Sequence, residues 1–192
     1  MKKIALLCLC AMAMLLGLPS HAQRLIPKQR GIDIVGRLPL IKGERLLTKE
    51  NFGMGVSLTR YLQRGNYTFV LVEYEQQTMP YRKYSIKLQD ILLQMGYMHP
   101  ILSDNSKNVF LYTGFAALGG YEELNEDKHL LPDGATLLDR SRFVYGGTVH
   151  CSVEVFLTDR LLFLVKAQGR VLFGSDVHRF RPTLSAGLKL NF

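Results

Sequence analysis

Residues 143–157 read Phe143-Val144-Tyr145-Gly146-Gly147-Thr148-Val149-His150-Cys151-Ser152-Val153-Glu154-Val155-Phe156-Leu157. Phe143, Tyr145, Val149, Cys151, Val153, Val155 and Leu157 share one parity, while Gly146, Thr148, His150, Ser152 and Glu154 share the other. Successive side chains of a strand point to opposite faces, so this period of two predicts a strand with one apolar and one polar side. Thr158-Asp159 supplies a tight turn, and the pattern resumes beyond it. Leu161, Phe163, Val165, Ala167, Val171 and Phe173 alternate with Lys166, Gln168 and Arg170. A last strand sets Phe180, Leu184, Ala186, Leu188, Leu190 and Phe192 against Arg181, Thr183, Ser185, Lys189 and Asn191. A water-soluble barrel would turn its apolar side chains inward. Strands of about ten residues or more, apolar on one face and bearing Lys, Arg, Glu and Gln on the other, instead predict a wall with acyl chains outside and a polar lumen.

The same alternation runs over 51–61, where Phe52, Met54, Val56 and Leu58 are interleaved with Gly53, Gly55, Ser57 and Thr59. Four further strands are predicted near 31–38, 67–76, 84–98 and 109–121. Within 84–98 the phase changes: Tyr84, Ile86 and Leu88 share one parity, and Ile91, Leu93, Met95 and Tyr97 the other. A β-bulge near Gln89-Asp90 or a shifted register accounts for this. Gly114, Gly119 and Gly120 blur the faces of 109–121. The links at 62–66, 99–108 and 158–160 are generally short, and those at 39–51, 77–83, 122–142 and 174–179 generally longer. That order fits an all-β, eight-stranded antiparallel up-and-down transmembrane β-barrel with both termini in the periplasm. The third outer loop, with Glu122, Glu123, Glu126, Asp127, Lys128 and His129, is polar enough for solvent.

Residues 1–22 read as a cleaved secretory signal: Lys2 and Lys3 are the positive region, Ile4 to Leu18 the apolar region, and Ser20-His21-Ala22 the cleavage site. The barrel domain is then 23–192. Cys8 and Cys10 leave with the signal, so Cys151 remains without a disulfide partner and reads as a packing residue. The mature part carries 22 basic and 16 acidic residues, a net charge of +6. No later apolar run approaches the ~20 residues of a spanning helix.

The segment Ser185-Ala186-Gly187-Leu188-Lys189-Leu190-Asn191-Phe192 reads polar, any, glycine, any, any, hydrophobic, any, hydrophobic. It looks like the β-signal recognised by the outer-membrane assembly machinery, matched at Ser185, Gly187, Leu190 and Phe192. Such recognition needs an edge strand that can pair before the barrel closes, with an aromatic anchor at the interface. A family resemblance accompanies it. Gln23-Arg24-Leu25-Ile26-Pro27-Lys28-Gln29-Arg30-Gly31, Gly120-Tyr121-Glu122, Asp133-Gly134-Ala135, Phe143-Val144-Tyr145-Gly146-Gly147, Leu157-Thr158-Asp159-Arg160 and Gln168-Gly169-Arg170 are similar to the TraO transfer proteins of conjugative transposons. So is the closing run from Phe173-Gly174-Ser175-Asp176 through Phe180-Arg181-Pro182 to Phe192. The resemblance implies a role in conjugal DNA transfer, with other transfer proteins as partners, beside the outer-membrane lipid that the apolar wall implies and the assembly machinery that the β-signal implies.

The sequence has no Gly-rich phosphate loop, no zinc-type cysteine or histidine spacing and no nucleophile elbow, so no cofactor is expected. His150, Ser152 and Glu154 share one strand face in a His-x-Ser arrangement like that of lipid A deacylases. Residues i and i+2 on a strand lie ~6–7 Å apart, however, and the register turns these three away from acyl chains. Glu73, Glu75 and Glu154 are expected to face Lys87, Lys166, Arg170, Arg181 and Lys189 inside the lumen, because buried charges persist only when paired. Direct nucleic-acid contact is not expected, since the basic residues lack an aromatic stacking platform. An eight-stranded bore is also just wide enough for its own side chains. The reading is therefore a non-enzymatic outer-membrane accessory of conjugal transfer that is not itself the DNA conduit. A free-standing surface barrel of the adhesion or defence type, or a lipid A deacylase, are the alternatives.

Overall fold

The computed structural model describes residues 25–40, 51–81, 84–124, 142–175 and 179–192, with the backbone alone for 79–81 and 84–85. The signal segment 1–22 and the loop positions Glu126, Asp127, Lys128 and His129 lie outside the described residues. Eight strands follow one another: β1 (Arg30–Pro39), β2 (Phe52–Tyr61), β3 (Tyr67–Tyr81), β4 (Tyr84–Ser103), β5 (Val109–Leu124), β6 (Arg142–Phe156), β7 (Leu161–Phe173) and β8 (Phe180–Asn191). Each pairs with its sequence neighbour, and β8 pairs antiparallel with β1 to close the barrel. Closure leaves no lateral edge, so the wall's backbone groups are satisfied within it.

The alternation sorts the side chains between two media. Met54, Phe115 and Val149 point outward at 57%, 67% and 66% exposure, whereas Ser57, Glu154 and Arg170 on the other parity are essentially inaccessible. A continuous belt of exposed Ile, Val, Leu and Met of this extent is incompatible with water and suits acyl chains. At the end of the wall that carries the links 40–51, 125–141 and 174–179, the belt is bordered by aromatic pairs. Phe52 sits 6.2 Å from Tyr74 and Tyr145 5.9 Å from Phe173, ring centre to ring centre. Aromatic girdles of this kind mark a membrane boundary. The opposite rim bears residues 25–29, Phe192 and the tight links. In one of these the Asp104 carboxylate accepts the Asn108 and Val109 N–H groups at 2.6 and 2.9 Å, and in another the Thr158 hydroxyl accepts that of Leu161 at 3.0 Å.

Four expectations are corrected. The 77–83 link is almost entirely strand: β3 has 15 residues, β4 has 20, and Tyr81 pairs with Tyr84. Thr78, Tyr81, Tyr84 and Ile86 favour extended backbone, so the hairpin runs on past its neighbours, and β5 first pairs with β4 at Leu88. The expected bulge at Gln89-Asp90 is absent, because β3 and β4 pair without a shift throughout; the irregularity lies between Pro100 and Leu102 against β5. The phase change arises because the lumen is apolar on this side. Ile86, Leu88 and Leu92 are buried inside while Ile91, Leu93 and Met95 face outward. Lys87 consequently turns outward rather than into the lumen. Glu122 and Glu123 belong to β5 and not to a loop, and Glu122 is buried. Gly114 explains part of the blurred pattern there, since any Cβ would collide with the Tyr97 carbonyl where β5 presses against β4.

Candidate functional site: the barrel lumen and the closing strand

Reading the lumen from the Phe192 rim inward, the first layer is apolar. Tyr61, Tyr67, Phe69, Phe110, Tyr112 and Phe156 form one buried cluster that fills the bore. Tyr67 lies edge-on to Tyr61 at 5.4 Å and to Tyr112 at 5.0 Å, the geometry favoured by aromatic quadrupoles. Above it, the Lys189 ammonium donates to both Glu154 oxygens at 2.8 Å and stands 4.2 Å from the Tyr67 ring centre. The Tyr67 hydroxyl donates to the same carboxylate at 2.6 Å. Lys166 reaches across to Asp33 at 2.7 Å.

The middle layer is built on two arginines. Arg170, from β7, donates to Glu73 at 3.0 Å, to Glu75 at 2.7 Å and to the Thr183 hydroxyl at 2.9 Å. Arg37, from β1, pairs with Glu73 and lies 3.6 Å from Glu75. Gln94 donates to Glu73 at 2.8 Å and Gln77 to Glu75 at 2.5 Å, so the two carboxylates, which would repel each other alone, are crowded by donors. Nearer the far rim, Arg181 donates to Asp90 at 2.7 Å and to Glu122 at 2.5 Å, while Ser175 donates to Glu122 at 2.8 Å. Every buried charge among the described residues has an opposite partner, the condition under which ions persist in a low dielectric.

The structure therefore pairs Arg170 with Glu73 and Glu75, and Lys189 with Glu154, while Lys166 and Arg181 meet other acids, so the charges form four groups rather than one. It adds Asp33, Arg37, Asp90 and Glu122, which the sequence reading omitted. Asp33 and Arg37 had a visible signal, because they share a parity opposite to Ile32 and Ile34. Asp90 was hidden by the misread phase of β4, and Glu122 by its assignment to a loop. Cys151 sits on the outward face and is exposed.

His150, Ser152 and Glu154 all point into the lumen and do not form a relay. The His150 ring meets Gln94 Oε1 at 3.1 Å through Nε2 and lies edge-on to Phe69, while Glu154 is held by Lys189 and Tyr67. Ser152 Oγ has no hydrogen-bond partner among the described residues, so the imidazole is engaged by Gln94 and not by the serine.

The closing strand completes the wall. Arg30 and Phe192 exchange backbone hydrogen bonds of 3.1 and 2.8 Å, and Ile34 lies opposite Leu188. Ser185 is buried, whereas Leu190 and Phe192 face outward. Gly187 has a steric reason of its own: a Cβ there would strike the Ile34 carbonyl oxygen at the β1–β8 seam.

The family model described as conjugative transposon protein TraO matches residues 26–192. The chain belongs to the TraO family. No curated protein matches it in sequence. Among solved structures, the TraO chain resembles Ail, the attachment invasion locus protein of Yersinia pestis, crystallised with the heparin analogue sucrose octasulfate. That match has 11% identity and a TM-score of 0.56, and covers 87% of this chain and 100% of Ail. Neisserial surface protein A is similar at 15% identity and TM-score 0.52, over 85% of this chain and 96% of that one. These likenesses establish that this TraO protein has the closed fold of outer-membrane β-barrels.

Proposed function

We propose that the protein is a non-enzymatic accessory of the conjugal transfer apparatus, seated in the outer membrane and distinct from the DNA conduit. One observation carries the last part: the bore is crossed by ion pairs and filled by the buried side chains of Arg37, Arg170, Tyr61, Tyr67, Tyr112 and Lys189. A single strand of DNA has no place in such a lumen. Family membership supports the link to conjugation. On this reading residues 1–22 direct export and are removed, and Ser185, Gly187, Leu190 and Phe192 present β8 to the assembly machinery. Both ends of the barrel domain then lie in the periplasm, and the 40–51 and 125–141 links lie outside, available to other transfer proteins or to a recipient surface. No cofactor and no direct nucleic-acid contact are part of this role.

Deletion of the gene from the donor should reduce mating by orders of magnitude while growth and surface adhesion stay unchanged. Undiminished transfer overturns the proposal. The likeness to an attachment invasion locus protein and a surface protein favours a second reading, a free-standing surface barrel. The same deletion would then alter adhesion and leave mating intact.

A further inference from the structure

We propose that the outward wall beside the Phe192 rim holds a phospholipid headgroup, its phosphate clamped between Arg30 and Arg60. A pocket of about 360 Å³ opens there, lined among others by Arg30, Arg60, Thr68, Leu58, Val70 and Phe192. Arg30 and Arg60 are directly opposite each other across the β1–β2 pair. Like charges in that relation repel. Inside the barrel every cation is answered by a carboxylate, yet among the described residues no acid pairs with either of these two. An anion between them would convert the repulsion into two charge-assisted contacts, and the guanidinium fork matches phosphate oxygens two at a time.

The surroundings specify what carries the anion. The pocket opens on the outward face, where exposed Leu58 and Val70 continue into Ile32, Val56 and Val72 along the apolar belt. A free phosphate would use the arginines and leave this apolar floor unused, whereas a diacyl lipid uses both. Thr68, opposite Arg60, adds a hydroxyl at the same level, and Phe192 marks the boundary depth. The rim around the pocket is cationic as well: Lys28, Arg64, Lys107 and Arg160 are exposed there against Asp104 and Asp159, and Asp104 is occupied by backbone N–H groups. The choice of a glycerophospholipid over the phosphates of lipid A rests on the orientation proposed above, which puts this rim against the inner leaflet.

The test is native mass spectrometry of the purified, folded protein in detergent, offered dioleoylphosphatidylglycerol, dioleoylglycerol or lipid A. The wild type should retain phosphatidylglycerol and release dioleoylglycerol, which has the same chains and no phosphate. Arg30→Gln with Arg60→Gln should weaken retention roughly tenfold. Arg64→Gln with Lys107→Gln removes equal charge from the rim and should change it less than about twofold. Should the glutamine pair fail to fold, Arg30→Lys with Arg60→Lys keeps the charge, loses the fork and should weaken retention about threefold. Unchanged retention in the folded pocket variants, equal losses in the pocket and rim variants, or equal retention of dioleoylglycerol each overturn the proposal. Preferential retention of lipid A overturns the named lipid. Because the lipid is supplied in solution, a failure of the conjugation reading leaves all of these outcomes unaffected.

Discussion

The two sides of the lumen differ in what they contribute. β3, β4, β5 and β6 supply Glu73, Glu75, Asp90, Glu122 and Glu154, together with most of the apolar filling: Phe69, Leu71, Leu92, Met98, Tyr112 and Leu118. β7, β8 and β1 supply Lys166, Arg170, Arg181, Lys189 and Arg37, with Asp33 as their acid. Apart from the Lys166–Asp33 pair, the ion pairs described above join the first group of strands to the second. Arg170 meets Glu75 over a sequence separation of 95 residues, and Arg181 meets Asp90 over 91. These two contacts form only when the last strands come round toward the first, so they report closure rather than hairpin formation, whereas Arg37–Glu73 and Lys189–Glu154 join strands only two apart. Before closure β1 and β8 lie at opposite ends of the sheet, and Arg170 and Arg181 are apart from Glu75 and Asp90, the carboxylates that they meet across the closed bore. The interior thereby favours one register and one neighbour for β8, a task the nearly uniform oily exterior cannot perform.

This division is best broken at its most connected point. Arg170→Met leaves Glu73 and Glu75 facing each other with Arg37 as the remaining cation. Removing one partner of a buried ion pair costs about 3–5 kcal/mol, so denaturant titration in detergent, followed by the heat-modifiable shift on a gel, should show a loss of that size. A loss below about 1 kcal/mol would mean that water rather than Arg170 compensates the acids. A smaller effect is expected at Lys189→Met, because the Tyr67 hydroxyl still donates to Glu154: about 2–3 kcal/mol by the same titration. Adding Glu154→Gln should return at least ~1 kcal/mol of it, the coupling expected of groups in direct contact. The smallest expected effect is at Ser152→Ala, inside the acidic half. Its hydroxyl takes no part in the ion pairs, so stability should move by less than about 0.5 kcal/mol. Lipid A acylation, read by mass spectrometry, should be identical with and without the change; a difference would revive the deacylase reading.

How legible the fold was depended on where each strand keeps its apolar side chains. In β2, in β8 and in the middle of β6 and β7 the lumen face is polar, so Met54, Val149, Val165 and Leu188 stand out against Ser57, His150, Arg170 and Lys189; only toward the ends of β6 and β7 do Val144, Phe156, Leu162, Leu164 and Leu172 turn inward. In β4 and β5 both faces carry apolar residues, because the bore there is packed with Leu88, Leu92, Phe110 and Leu118. Period two survives in the backbone but disappears from the hydropathy, so the sequence pattern points to a bulge at Gln89-Asp90 and to an inward Lys87, where the structure has neither. The paired charges were legible as a class from the parity of β6–β8. Their partners were not, since which acid meets which cation depends on the stagger of strands around the barrel, and Asp90 and Glu122 meet Arg181 through that stagger alone.

The ties that span the bore also have a mechanical meaning. A hollow eight-stranded cylinder can flatten into an ellipse when the surrounding bilayer presses on it, because strand-to-strand angles are soft. Short charged struts from Arg170 to Glu75 and from Arg181 to Asp90, set at different heights and shielded from water, resist that flattening as spokes resist the buckling of a rim. The cross-section should accordingly stay nearly constant under lateral load, giving whatever is fastened to its ends a stiff footing.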